Sequence, residues 1–151
     1  MKKFLLNAFY ILFPLLIGLL ISSLISNNID YQTLKQPPFA PPSILFPIVW
    51  TILYILMGIS YYLYKKNTYT EKTEIIIYYL QLFVNALWSI IFFILKLRFF
   101  SIIWILALSI LIYTLITLFL QKYKLSAYLL IPYLIWCLFA TYLTVGIYLL
   151  N

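Results

Sequence analysis

The sequence predicts an all-α integral membrane protein, built as a bundle of five transmembrane helices. Of its 151 residues, 66% are apolar and only 9% are charged, whereas a soluble domain is about half apolar and about a quarter charged. Five apolar runs are each long enough to cross a hydrocarbon core, which takes about 20 residues. Their continuity argues against a β-barrel, whose strands are about ten residues long and alternate in polarity. Composition therefore excludes a soluble fold and leaves helices in a bilayer.

The apolar runs form a single predicted domain. No run contains an interior Lys, Arg, Asp or Glu, and central Leu, Ile and Phe residues favour insertion. The first run follows two lysines, as a signal peptide would, but its apolar part exceeds a typical signal core of about 7 to 15 residues, so we interpret it as the first helix. The five helices are predicted at about residues 4–25, 44–64, 75–95, 99–120 and 126–150.

The segment between the first two helices, at about residues 26–43, is longer than the other connections. It carries Pro37, Pro38, Pro41 and Pro42. Proline fixes φ and has no N–H to donate, which favours an ordered, semi-rigid segment over a helix. We predict that this Pro-rich segment, called loop one below, forms a lid across one end of the bundle.

The basic residues predict the orientation. Seven of the ten lie on the side that holds the N-terminus, and the other three are Lys35, Lys96 and Arg98. The positive-inside rule then places the N-terminus in the cytoplasm, and we expect the membrane to be a bacterial plasma membrane. The charges that make up the net +7 are scattered rather than gathered on one face, so nucleic acid is not an expected partner.

The inventory of reactive side chains excludes most hydrolytic mechanisms. The chain has no His, a single Cys at position 137, and three acidic residues, Asp30, Glu71 and Glu74. A Ser-His-Asp triad and a His or Cys zinc site are therefore excluded within one chain. We expect no metal site, no required cofactor and no conventional acid–base catalysis.

Polar and large aromatic side chains at mid-membrane depth are the candidate functional residues, because each costs free energy unless it is packed or hydrogen-bonded. Asn85 lies near the centre of the third helix, where its amide forms hydrogen bonds either with another helix or with a ligand. Trp50 and Trp136 lie deeper than an interfacial belt, and Trp88 and Trp104 are also internal. Each of these rings either packs in the bundle or contacts a ligand.

Helical spacing groups several of these candidates on shared faces. Trp50 and Tyr54 are four residues apart on the second helix, and Tyr133, Trp136 and Ala140 are spaced at i, i+3 and i+7 on the fifth. Turned inward, such faces would line an aromatic pocket with few polar groups. That is the usual form of a site for a flat hydrophobic ligand.

Three groups of motifs follow one another along nearly the whole chain. They are Tyr31-x-x-Leu34-x-x-Pro37-x-Phe39-x-Pro41-Pro42 with Val49-Trp50-Thr51-Ile52-Leu53-Tyr54, then Gln81-Leu82 with Asn85 and Leu87-Trp88-Ser89, then Pro132-Tyr133-Leu134 with Trp136 and Phe139-Ala140-Thr141-Tyr142-Leu143. Together these motifs closely resemble the TspO/MBR family, the translocator proteins or peripheral benzodiazepine receptors.

The resemblance implies a five-helix homodimer whose pocket, covered by the first loop, binds porphyrins such as protoporphyrin IX. Animal members of the family also bind sterols and benzodiazepine-like or isoquinoline drugs, so the resemblance implies these as further ligands. It implies that Tyr31, Trp50, Asn85, Trp136 and Ala140 line the pocket, with Trp50 and Asn85 as polar anchors. Bacterial members are linked to light- and oxygen-dependent breakdown of protoporphyrin, for which Trp50 and Trp136 would be the redox-active aromatics.

The chain departs from the family pattern at several positions. Asp30 and Ile44 stand where the family usually has Trp, so different loop-one contacts are expected, and Leu80 replaces a small residue of the usual dimer face. Two alternatives stay open. One is a transporter of porphyrins or other hydrophobic molecules, although no predicted span carries the carboxylate that proton coupling generally uses. The other is a structural membrane protein without a ligand, for which we expect a bundle centre filled by side chains rather than an open aromatic cavity.

Overall fold

The structure, a computed structural model, describes residues 2–151, with only the backbone described for residues 2–6. Five α-helices and no strand occur in this part of the chain, which confirms the all-α class. Each helix is long and apolar enough to cross a membrane. The helices are α1 (Lys2–Ile25), α2 (Leu45–Asn67), α3 (Lys72–Ser89, followed by a π-turn at Ile90–Ile94), α4 (Arg98–Lys122) and α5 (Lys124–Leu150).

The start of α3 lies at Lys72 rather than at about residue 75 because a capping box stabilises an earlier turn. The Glu71 side chain accepts a hydrogen bond from the backbone N–H of Glu74. In return, Oε2 of Glu74 accepts one from the backbone N–H of Glu71 at 2.8 Å. Two N–H groups that would otherwise lack partners are satisfied in this way.

The helices close into a ring in the order α1, α2, α5, α4, α3. Packing is most extensive between α4 and α5 and between α1 and α2, and it is slightest between α3 and α1. Gly58 brings α1 and α2 together, since a Cβ at this position would collide with the backbone carbonyl of Ile11. Small residues permit such close approach between helices in membranes.

Side chains fill the half of the bundle remote from loop one, which we call the closed half and define by Tyr61, Tyr64, Tyr78 and Phe119. Tyr61 stacks on Tyr78, and Tyr64 on Phe119, both with ring centroids 3.8 Å apart. The thiol of Cys137 is fully buried in the same core. Close packing of large rings leaves little space for a ligand here.

A buried carboxylate fastens the end of the closed half. Oε1 of Glu74 accepts a hydrogen bond from the Tyr64 hydroxyl at 2.7 Å and lies 2.6 Å from Nζ of Lys122. Lys122 also pairs with Glu71 at 2.7 Å. The cluster joins the ends of α2 and α4 to the start of α3.

The two ends of the bundle carry separate sets of basic residues. Lys96 and Arg98 lie at the end that holds loop one, whereas Lys65 and Lys122 lie at the opposite end. This is the grouping on which the orientation prediction depends. The cytoplasmic location of the N-terminus stays a prediction.

A candidate ligand cavity

An internal cavity of about 640 Å³ occupies the half of the bundle next to loop one, which we call the hollow half. Its size is within the range of small-molecule sites, about 300 to 1,000 Å³. The wall comes from α1, loop one, α2, the end of α3 and α5. Its aromatic rings are those of Tyr31, Phe46, Trp50, Tyr54, Trp88, Phe92, Phe93 and Trp136.

Most residues predicted to contact a ligand lie in this wall. Asn85 and Tyr133 are the exceptions, because both are buried behind the cavity and do not line it. The role of all of them in binding stays a prediction. Those in the wall are Tyr31, Trp50, Tyr54, Trp88, Trp136 and Ala140.

Asn85 belongs to a buried hydrogen-bond network directly behind the wall. The Tyr54 hydroxyl donates to Oδ1 of Asn85 at 2.9 Å, and Nδ2 of Asn85 donates to the Tyr133 hydroxyl at 2.7 Å. That hydroxyl donates in turn to Oε1 of Gln81 at 2.9 Å. The Asn85 amide therefore has partners on α2 and α5, and the network connects these helices to α3.

Gln81 is a member of this network that stands in the second motif group but is not among the predicted site residues. Its side chain is fully buried, one helical turn before Asn85. Residues four apart on a helix share a face, and a buried amide needs partners. The four-residue spacing between Gln81 and Asn85 could therefore have identified Gln81 from the sequence.

Two of the cavity tryptophans, Trp88 and Trp136, present ring surface rather than N–H groups. The indole nitrogens of Trp88 and Trp136 are shielded from solvent and have no hydrogen-bond partner among the described residues. Trp50 packs on Tyr54 with ring centroids 5.6 Å apart. Trp104 differs, because its Nε1 donates to the carbonyl of Val84 at 2.9 Å and its ring lies outside the wall. Contacts of a ligand with Trp88 and Trp136 would therefore be mainly apolar and aromatic.

Tyr31 joins loop one to the aromatic wall. Its buried side chain packs on Phe46 at a centroid distance of 4.8 Å, and Phe46 contacts Trp136 at 5.9 Å. The Tyr31 hydroxyl donates to the carbonyl of Pro41 at 2.9 Å. Burial raises the pKa of this hydroxyl, so it remains a protonated donor at neutral pH.

An ion pair fastens loop one to the start of α4. Nη2 of Arg98 lies 2.8 and 2.7 Å from the two carboxylate oxygens of Asp30, and Nη1 donates to the Phe92 carbonyl at 2.6 Å. Lys96 adds a longer contact with Asp30 at 3.4 Å. Burial alone would raise the pKa of Asp30. The hydrogen bonds from Arg98 and Lys96 and the positive charges of both side chains outweigh the effect of burial, so the pKa is lowered. The carboxylate is therefore charged at neutral pH.

A second set of contacts fastens loop one to α5. The Tyr142 hydroxyl donates to the Pro38 carbonyl at 2.7 Å. The Asn151 side chain pairs with both backbone groups of Lys35, accepting from its N–H at 2.9 Å and donating to its carbonyl at 3.1 Å. Loop one is thus held at two separate places on the bundle.

Five membrane-crossing helices around an aromatic cavity define the class: an integral membrane protein with an internal space for a hydrophobic molecule. The TspO/MBR family model matches residues 10–150. The chain therefore belongs to the TspO/MBR family, as its motifs indicate, and its function is that of a TspO-type membrane protein.

Relatives of the chain occur in archaea, bacteria and yeast. It is 38% identical over 122 residues to a tryptophan-rich protein TspO of Archaeoglobus fulgidus, and the aligned region covers 80% of this chain and 79% of the relative. It is 36% identical over 126 residues to the protein of the same name from Chlorobaculum tepidum, and here the aligned region covers 80% of this chain and 78% of the relative. A translocator protein homolog of Schizosaccharomyces pombe is 34% identical over 127 residues, covering 81% and 77%.

Proposed function

We propose that this protein binds a tetrapyrrole of the protoporphyrin IX type in the cavity and promotes its light- and oxygen-dependent degradation. The observation that carries the proposal is the cavity of about 640 Å³ with Trp50, Trp88 and Trp136 in its wall. Flat aromatic molecules pack favourably against such rings, either stacked or edge to face. Loop one serves as the lid, with Tyr31 as its contact with the ligand.

The chemistry of the wall suits binding and photochemistry better than acid–base catalysis. No Asp, Glu, Lys or Arg lines the cavity within the described residues. An illuminated porphyrin supplies its own reactivity, while the protein supplies position and surroundings. We assign Trp50 on α2 and Trp136 on α5 as the electron-rich indoles that take part.

Binding can be tested by titrating the purified protein with protoporphyrin IX and following the quenching of tryptophan fluorescence. Trp50→Ala and Trp136→Ala should each weaken binding by at least about tenfold, which is about 1.4 kcal/mol. Trp104→Phe is the matched control, because this ring lies outside the cavity wall. Unchanged affinity in both cavity variants would contradict the site.

The photochemical step needs a separate measurement. The Soret band of bound protoporphyrin IX should decay under illumination in air faster with the wild type than with Trp136→Phe, whereas Trp104→Phe should match the wild type. Dark and oxygen-free samples measure the background decay. Equal decay rates in all three proteins would leave binding as the whole function.

The two alternatives receive less support. A structural protein without a ligand does not need an open aromatic cavity. Glu74 is the buried carboxylate a transporter could use, but it is paired with Lys122 and Tyr64 at the end remote from the cavity. Uptake of porphyrin into liposomes that depends on a proton gradient would favour the transporter.

A further inference from the structure

The exposure of the cavity wall differs sharply between its two sides. The lining residues on α3 and α5 that face Tyr31, such as Trp88 and Ala140, are buried. On α1 and at the start of α2 five lining residues are exposed, among them Leu19 at 57% and Ile44 at 67%, whereas Ile21 and Ile25 are buried. We call this exposed part of the wall the α1–α2 opening, and it consists of Leu19, Ser22, Ile44, Pro47 and Thr51.

The α1–α2 opening lies at the depth of the lipid tails. At 1.5 Å per residue, Leu19 lies about 9 Å from the end of α1 at Ile25, and Thr51 lies about 9 Å from the start of α2 at Leu45. The 24 residues of α1 extend about 36 Å, slightly more than a hydrocarbon core of about 30 Å. Leu19 and Thr51 therefore face acyl chains, and residues nearer the helix ends face the headgroups.

Loop one covers the water-facing end of the cavity, although its lining residues Ile29, Gln32 and Thr33 are themselves exposed. A ligand that entered there would have to displace loop one from α4, breaking the Asp30–Arg98 ion pair. It would also have to separate loop one from α5, where Tyr142 bonds Pro38. The α1–α2 opening requires no hydrogen bond or ion pair between helices to break.

We propose that the ligand enters and leaves the cavity sideways, through the α1–α2 opening, from solution in the bilayer. The inference rests on the proposed function to the extent that a ligand occupies the cavity. The opening also specifies the kind of ligand, because Leu19 and Ile44 are apolar, whereas the hydroxyl of Ser22 lies nearer the headgroup end of α1. A flat amphipathic molecule that partitions into lipid with its polar substituents at the headgroups fits this surface.

The test measures the association rate of protoporphyrin IX with the protein in liposomes, by stopped-flow quenching of tryptophan fluorescence. Ser22→Phe and Thr51→Phe narrow the opening from two different helices. Each should slow association and dissociation together by at least about tenfold, while Kd changes by less than about threefold. The matched controls are Leu20→Phe and Ile52→Phe, whose positions are 63% and 52% exposed but outside the cavity wall, and both should keep wild-type rates.

Asp30→Asn tests the other route, entry past loop one, because it loosens loop one and leaves the α1–α2 opening intact. It should leave the association rate unchanged. Equal association rates in the narrowed variants and their controls, or faster association in Asp30→Asn, would overturn the proposal. If the wild type binds no protoporphyrin IX, the proposed function fails and the route with it. Binding with unaltered rates contradicts the route alone.

Discussion

The closed half and the hollow half are built from the same kinds of residue but pack differently. In the closed half, large rings pair face to face, as Tyr61 does with Tyr78 at 3.8 Å. In the hollow half, Trp88 and Trp136 line open space, and their indole nitrogens have no partner among the described residues. Since aromatic residues make up 21% of the chain, residue type alone does not distinguish a structural ring from a ligand contact. What distinguishes them is whether the ring borders the open space of the cavity.

The largest expected effect concerns the buried network behind the cavity, compared with a residue of the cavity wall itself. Asn85→Leu leaves the Tyr54 hydroxyl without its acceptor and removes a donor to Tyr133, so we expect a loss of about 3 kcal/mol in the free energy of unfolding. Ser89→Ala, one turn further along α3 on the cavity wall, should cost less than about 0.5 kcal/mol. Reversible unfolding in mixed detergent micelles measures both. Similar losses would contradict the distinction between the network and the cavity wall.

Two glycines provide a matched pair for the packing of α1 against α2. Gly58→Ala places a methyl group against the backbone of Ile11 in the closed half, which can only be relieved by moving a helix. Gly18→Ala places its methyl group against the Tyr54 ring, which is a side chain rather than backbone but is itself buried and hydrogen-bonded to Asn85. We expect a loss of about 2 kcal/mol for Gly58→Ala and a smaller one, of about 1 kcal/mol, for Gly18→Ala, by the same unfolding measurement. The reverse order would show that the hollow half is the more tightly packed.

The ion pair that holds loop one should contribute less than the Asn85 network behind the cavity. Both side chains are partly buried, with 21% of Asp30 and 14% of Arg98 exposed, so we expect Asp30→Asn to cost about 1 kcal/mol. Arg98→Gln should cost a similar amount. In a double-mutant cycle the two changes should be less than additive, because both remove the same interaction. Full additivity would show that the pair does not stabilise the fold.

The smallest expected effect is the pH dependence of this attachment. The pKa of Asp30 is lowered in the folded protein, so its contribution is fully present above the unfolded value of about 3.9 and is lost as pH falls through the folded value. The difference in stability between the wild type and Asp30→Asn should therefore be constant from about pH 5 to pH 7 and shrink below about pH 4. Thermal unfolding of the two proteins across this range measures it. A difference that grows on acidification would contradict the assignment.

The parts of the fold that the sequence predicts are those that depend on local patterns. The apolar runs identify the five helices because the cost of placing charges in lipid separates spans from loops. Helical spacing brings Trp50, Tyr54, Trp136 and Ala140 to the inward faces. The helix start at Lys72 depends on the capping bonds between Glu71 and Glu74, which the hydropathy runs do not include.

The remaining features depend on contacts between distant segments. Asp30 and Arg98 are 68 positions apart, and no periodicity connects them. Asn85 lies at a depth where a ligand and a neighbouring helix are equally reachable, so its partners follow only from the packing of α2 and α5. The sequence therefore identified the aromatic wall more fully than the network behind it or the attachment of the loop above it.

The burial of Cys137 makes the protein convenient for spectroscopy. It is the single cysteine in the sequence, and its thiol is enclosed in the core of the bundle. A new cysteine at Phe39, a loop-one position that is 91% exposed, would offer the sole thiol open to a maleimide dye or a spin label. Movements of the loop could then be followed in a chain that keeps all its other residues.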